Sequence, residues 1–253
     1  MKAIKNSIRT VFNSMGYSLA KIGPAPTNEF PEIAPWESDA IEKIRLYTMT
    51  SLERQWAMIS ALKYVHAKGV AGDIVECGVW KGGNLILSGL VGEKLGEQRT
   101  IWGYDTFEGM AEPTENDKGN QDGVAAKDIY DAQNRDGYNE WCYSPLDEVS
   151  SNIKRSGLST SNYRLIKGKC EETLMEPQNI PDKIAILRLD TDWYDSTKKE
   201  LEVLYPRLSK NGLLIIDDYG HWSGSKKAVD EYFKNDPVLM NRVDYSCRLI
   251  MKV

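Results

Sequence analysis

Two acidic clusters carry the strongest chemical signal in this chain of 253 residues. Asp190-Thr191-Asp192-Trp193-Tyr194-Asp195 follows the apolar run Ile184–Leu189, and Asp217-Asp218 follows the apolar run at 213–216. Such runs read as buried strands, so both clusters end strands of one sheet. Carboxylates gathered at one sheet edge repel one another unless a proton or a cation compensates. Hard oxygen donors suit Mg²⁺, Mn²⁺ or Ca²⁺ better than zinc. The alternative is a set of solvated loop carboxylates that cap the following helices. His221 lies just beyond the Asp pair and could serve as a base, a substrate contact or a plain loop residue. The only other histidine, His66, falls inside a helical pattern and reads as structural.

A second group of residues could hold a cofactor. The run Asp73–Cys77 leads into Gly78-Val79-Trp80-Lys81-Gly82-Gly83-Asn84. Glycines let the backbone turn tightly and approach a ligand, and the next helix offers its first amides. The spacing G-x-x-x-G-G is neither the dinucleotide fingerprint nor a P-loop, so NAD and ATP lose ground. A tight turn with no ligand is the other reading. The next strand ends in Asp105, 27 positions after Gly78 (105 − 78), followed by Thr106 and Phe107. An acid there can accept hydrogen bonds from ribose hydroxyls, or cap a turn. A third strand ends in Lys167-Gly168-Lys169, where Gly168 would let an adenine ring lie close to the backbone or would simply turn the chain.

These residues need a frame. Strand-like runs at 73–77, 100–104, 163–166, 184–189 and 213–216 alternate with helical patterns at 84–95, 144–155, 170–175, 196–208 and 225–233. Thr50-Ser51-Leu52-Glu53 reads as a capping box, with Thr50 as cap, opening a helix to about Lys68. Ser144-Pro145 reads as a helix start. Segments 239–243 and 247–253 read as a closing antiparallel hairpin. Alternating strands and helices predict an α/β fold with a parallel sheet covered on both faces. Ligands then bind outside the carboxyl ends of the strands, where the groups above all lie.

The N-terminal stretch reads as a separate part. Ala3, Ile4, Ile8, Val11, Phe12 and Met15 share one helical face, and Gly23-Pro24-Ala25-Pro26 breaks it. Residues 1–36 are therefore expected to form a helical arm and linker, and 37–253 the main domain. The arm would pack on the body or on a neighbouring subunit of a homo-oligomer; membrane-surface attachment is the alternative. A net charge of −5 argues against a nucleic-acid binder. No apolar run reaches the ~18 residues of a membrane span. Cys77, Cys142, Cys170 and Cys247 show no C-x-x-C spacing, which fits a reduced, cytoplasmic setting better than a zinc site or a disulfide framework.

The motifs together resemble the macrocin O-methyltransferase family, which acts on deoxysugar hydroxyls of macrolides and aminocoumarins. The resemblance rests on Thr48-Met49-Thr50-Ser51-Leu52-Glu53-Arg54, Val75-Glu76-Cys77-Gly78-Val79-Trp80-Lys81-Gly82-Gly83 and Tyr104-Asp105-Thr106-Phe107-Glu108-Gly109-Met110. It continues through Trp141-Cys142, Leu187-Arg188-Leu189-Asp190-Thr191-Asp192-Trp193-Tyr194-Asp195, Leu204-Tyr205-Pro206-Arg207-Leu208 and Ile215-Ile216-Asp217-Asp218-Tyr219-Gly220-His221-Trp222. It implies a Rossmann-like class I methyltransferase fold of seven strands, mostly parallel, with the last antiparallel. It implies S-adenosylmethionine held by Glu76, Gly78 and the loop after it (Val79, Trp80, Gly82, Gly83), with Asp105, Thr106 and Phe107 at the ribose and Gly168 and Lys169 nearby. Thr50 and Ser51 would help close the site. It also implies Mg²⁺ or Mn²⁺ on Asp190, Asp217 and Asp218, with Asp192 as base and Asp190 and His221 as substitutes. The acceptor would be a small molecule with a hydroxyl, a sugar above all.

Two rival readings remain at this level. Asp190-Thr191-Asp192 is also a D-x-D sequence of the kind that nucleotide-sugar glycosyltransferases use to hold a metal and a diphosphate. The chain could also be a cofactor-binding scaffold without activity.

Overall fold

The central strands are apolar along their whole length, and such strands are stable only between two layers of helices. The computed structural model, which describes residues 30–253, builds that arrangement from Pro35 to Val253. The helices are α1 (Pro35–Ile44), α2 (Leu52–Ala67), α3 (Gly83–Leu95), α4 (Ala126–Gln133), α5 (Leu146–Arg155), α6 (Cys170–Thr173), α7 (Tyr194–Leu204) and α8 (Ser223–Tyr232). The strands are β1 (Asp73–Cys77), β2 (Ile101–Asp105), β3 (Asn134–Arg135), β4 (Tyr138–Asn139), β5 (Tyr163–Lys167), β6 (Ile184–Leu189), β7 (Leu208–Ile216), β8 (Met240–Arg242) and β9 (Arg248–Met251). Seven of them form one sheet in the order β5-β2-β1-β6-β7-β9-β8. Pairings from β5 to β7 are parallel, and β9 runs antiparallel to both β7 and β8. This is the expected seven-stranded, mostly parallel α/β sheet with an antiparallel last strand.

Strand periodicity sorts the core into two halves. Ile74, Ile186 and Ile215 face the layer that holds Met58 and Ile59 of α2 and Leu85 and Ile86 of α3. Val75, Leu187 and Leu214 face Leu201 and Leu204 of α7 and Val229 of α8. Because β1 and β6 are neighbours with Glu76 opposite Arg188, their ends arrive side by side, and β7 places Asp217 next in line. The chain order reverses between β1 and β6, so the crevice forms at that switch point.

Several local expectations shift. The cap of α2 is Ser51, not Thr50: the Arg54 amide donates to Ser51 Oγ, and Thr50 instead pairs with the Thr48 hydroxyl. Glu53 therefore closes no capping box. The helix expected at 196–208 is α7, starting at Tyr194 and stopping at Leu204, because Pro206 cannot continue it. The chain then re-enters the sheet at Leu208, making β7 longer than its apolar run. Ser144 does not cap α5; its hydroxyl donates to Glu148. Pro35 and Trp36, expected in the linker, begin α1. The ribbon β3–β4 and α4 carry no apolar period of their own and were not expected. The arm at 1–22, the break at 23–26 and the subunit contact expected of them lie outside the described residues. No helix among the described residues is long and apolar enough to cross a membrane.

Gly78 is the tightest point of the β1 end. Its φ is +82°, and a Cβ there would lie 1.9 Å from the Asp190 carbonyl oxygen. Gly96, at the end of α3, has φ +67° with open space around it. Gly96→Ala should therefore cost only the left-handed backbone penalty, about 1–2 kcal/mol. Gly78→Ala must also move β6 and should cost clearly more. Urea unfolding of the two variants compares them; equal losses would show that the β1–β6 contact is looser than described.

Candidate active site

The carboxyl ends of β1, β2, β6 and β7 open into one cleft of about 370 Å³. That size suits a small-molecule ligand. Its floor is built on a buried arginine. Arg188, next to last in apolar β6, is 2% exposed and donates to Glu76 (2.6 Å), Asp190 (2.7 Å) and Asp217 (2.5 Å). One guanidinium thus ties the ends of three adjacent strands. Arg54, from the first turn of α2, donates to the other Asp217 oxygen (2.5 Å) and to Asp244 (2.7 Å) on the loop between β8 and β9. Ser51 donates to the same Asp244 carboxylate.

The acidic ligands fall out differently from the expected set. Carboxylate oxygens of Asp190, Asp192 and Asp218 lie within 4.8 Å of one another. Asp217 lines the same cleft but is not in this group, and both its oxygens accept from arginines; Asp192 is in it. Burial pushes the Asp190 and Asp218 carboxyls well above the usual range, opposed at Asp190 by Arg188. Burial also pushes Asp192 up to about 7, and the charges of Asp190 and Asp217 add to it. Asp218 Oδ2 is buried and has no hydrogen-bond partner.

The cofactor side of the cleft is equally defined. Asp105 Oδ2 accepts from the amides of Val79 (2.7 Å) and Trp80 (3.0 Å), and Oδ1 from Phe107 (2.7 Å). Asp105 therefore clamps the loop after β1, the turn-capping role that was its alternative reading. Glu76 is buried with one oxygen on Arg188 and the other, Oε2, unpartnered. Burial pushes it up to about 7 against the pull of Arg188. Thr50, Gly78, Val79, Trp80, Gly83, Thr106, Gly168 and Lys169 all line the cleft with Glu76 and Asp105. Three expected contacts do not: Ser51 faces Asp244, Gly82 faces Val149, and Phe107 is buried in the core.

One wall of the cleft is aromatic. Trp141, Trp193 and Trp222 meet edge to face with centroids 5.1–5.9 Å apart, and Trp141 and Trp222 line the cleft. His221 lies beside Trp222 (4.7 Å). Burial and the Arg54 charge hold its imidazole below the usual value. Arg188, Arg54 and the tryptophans had no assigned role from sequence. A lone arginine inside the run Ile184–Leu189 was the available signal, since a charge in a buried strand must have partners.

The chemistry of this cleft is a buried set of carboxylates, two of them, Glu76 and Asp192, raised to about 7, beside a polar turn and an aromatic wall. Residues 39–251 match the family model described as Macrocin-O-methyltransferase (TylF). The chain is 35% identical over 187 residues (74% of this chain, 67% of the relative) to the 8-demethyl-8-(2,3-dimethoxy-alpha-L-rhamnosyl)-tetracenomycin-C 4'-O-methyltransferase of Streptomyces olivaceus. It is 34% identical, over the same length and shares, to the demethyldecarbamoylnovobiocin O-methyltransferase of Streptomyces niveus. The solved O-methyltransferase NovP superposes with a TM-score of 0.71 at 30% identity, covering 82% of each chain. These matches decide against the glycosyltransferase and scaffold readings: the chain belongs to the macrocin O-methyltransferase family and is a methyltransferase enzyme.

Proposed function

We propose that this enzyme transfers a methyl group from S-adenosylmethionine to a sugar hydroxyl of a glycosylated natural product, with Mg²⁺ or Mn²⁺ as its metal. The observation that carries the reading is a single cleft with Glu76 and the clamped loop at one side and Asp190, Asp192 and Asp218 at the other. The sugar rests on the relatives, one of which is named for a rhamnosyl acceptor and another for the 3''-position of mycinamicin III. The tryptophan wall is compatible with it, because aromatic faces cover the apolar faces of sugar rings.

Both absent groups fit the residues present. The unpartnered Glu76 Oε2 suits the ammonium of the cofactor's methionine portion. Asp105 and Gly168 line the same cleft, where Asp105 would meet the ribose and Gly168 the adenine. Three buried carboxylates with an unpartnered oxygen at Asp218 form a hard donor set, and Asp190 and Asp218 would hold the cation. S-adenosylmethionine supplies a methyl group on a sulfonium, which leaves in an in-line displacement. A divalent cation supplies the Lewis acidity that makes an alcohol acidic enough to react.

The chain's own residues do the rest. Asp192 takes the acceptor proton at its carboxylate, and its elevated value of about 7 matches that task. Arg188 fixes Glu76 and Asp190 relative to each other, so the methyl donor and acceptor sites keep one geometry. Trp141 and Trp222 narrow the acceptor side and exclude water.

Two outcomes are expected. Asp192→Asn should retain binding of S-adenosylhomocysteine and lose at least about 10²-fold in kcat, and EDTA should stop the wild type until Mg²⁺ or Mn²⁺ is returned. Near-normal turnover in the variant removes Asp192 as base; turnover in chelator removes the metal. The second outcome concerns pH. Glu76 must be ionised to accept an ammonium, so affinity for S-adenosylhomocysteine should fall as pH drops below about 7, approaching tenfold per unit. Calorimetric titration across that range measures it. Glu76→Gln should bind weakly with no such slope, and a flat wild-type profile would remove Glu76 from the cofactor site.

A further inference from the structure

Beneath the cleft lies a second cluster whose donors are of another kind. Cys77 ends β1, Cys170 opens α6, and Glu200 lies on the inner side of α7. All three are buried, at 0%, 4% and 0% exposure. Both sulfurs and a Glu200 carboxylate oxygen lie within 4.8 Å of one another. Three elements distant in sequence thus bring two thiols and a carboxyl to one point. We propose that Cys77, Cys170 and Glu200 form a binding site for a thiophilic divalent cation such as Zn²⁺, distinct from the all-oxygen group at Asp190, Asp192 and Asp218.

The donor set separates the two sites. Thiolates select soft and borderline ions, and carboxylates alone select hard ones. A Zn–S bond of about 2.3 Å puts tetrahedral sulfurs about 3.8 Å apart, so the sulfurs need to close by about 1 Å at most. The Thr191 hydroxyl donates to the Glu200 carboxylate, at 3.0 and 3.2 Å from its two oxygens, and orients it as outer partners orient metal ligands. An entry path exists, because Cys170 and Thr191 line the cleft above. Three protein donors leave a fourth position open for a water from that side.

Both thiols of the metal-free cluster are held protonated at neutral pH. Burial pushes Cys77 up to about 12 and Glu200 up to about 7. Unreactive thiols of this sort resist oxidation, which disfavours a disulfide as the purpose of the pair. A bound cation reverses the balance: each coordinating thiol releases its proton to solvent as the metal–sulfur bond forms, with no change in oxidation state. Cys77 precedes Gly78 and Cys170 follows Lys169, so occupancy would tie together two rims of the cofactor side.

The test uses Cd²⁺ as a spectroscopic stand-in, with the full chain reduced and excess Mg²⁺ present to cover the oxygen site. Titration should raise an ultraviolet thiolate-to-cadmium charge-transfer band that saturates at one ion per chain, with proton release and a higher Tm. The band should persist in Cys142→Ser, whose thiol faces the main cleft, and vanish in Cys170→Ser. Glu200→Gln should keep a weaker band at lower affinity. Absence of a band in the wild type overturns the site and leaves a hydrogen-bonded packing cluster only. So does a band that survives in Cys170→Ser and is lost in Cys142→Ser. If Cys170→Ser does not fold, the wild type and Cys142→Ser still decide it.

Discussion

The structure depends on one buried guanidinium. Arg188 is placed in the most apolar strand of the sheet, where an unpaired charge would be prohibitive. It is tolerated because Glu76, Asp190 and Asp217 surround it from β1, β6 and β7. Each of those carboxylates is in turn tolerable only because of Arg188. Breaking such a buried set by removing one partner typically costs about 3–5 kcal/mol, since the others stay behind unpaired. The same contacts set the relative position of the two halves of the cleft. Strand register and the carboxylates that line the cleft are therefore one electrostatic unit.

That unit is not neutral. Glu76, Asp190, Asp192, Asp217 and Asp218 meet two arginines, Arg188 and Arg54. Asp217 consumes one contact from each and is the best compensated of the five. Asp190 keeps one contact from Arg188, whereas Asp192 and Asp218 have no arginine partner among the described residues, and burial raises all three. The excess negative charge lies at the point where a catalytic cation would be useful. On the proposed reading, positive charge would be divided between a permanent arginine, which builds the fold, and an exchangeable ion, which would serve the chemistry.

Much of this was legible from residue order. The apolar runs located β1, β2, β5, β6 and β7, and the acids at their ends located the cleft, because strand direction and strand end are local properties. What was hidden is non-local. Whether Asp217 or Asp192 joins Asp190 and Asp218 depends on which arginines reach Asp217, and Arg54 lies 163 residues away in sequence. Ser51 displaced Thr50 as the cap of α2 because Asp244 holds its hydroxyl from across the chain. Residues 106–143 contain α4 and the short β3–β4 ribbon, which have almost no buried apolar stripe. They are held from outside: Asp117 accepts from the Tyr194 amide, and the Asn120 amide donates to the His221 carbonyl.

That segment also bears on Asp192. The Trp193 amide donates to the Thr191 carbonyl at 2.7 Å, and Asp192 between them has φ +68°. A three-residue turn with positive φ is rare and strained, and persists only where its surroundings over-determine it. Here the constraint falls on Trp193. Its indole N–H donates to the Ala111 carbonyl at 2.9 Å, and its ring is locked edge to face against Trp141 and Trp222. Ala111 and Trp141 both belong to that segment. The turn that aims Asp192 into the cleft is therefore braced by the segment that supplies the aromatic wall. On the proposed reading, a change of acceptor made through that wall would also move the carboxylate that takes its proton, which would couple substrate choice to proton removal.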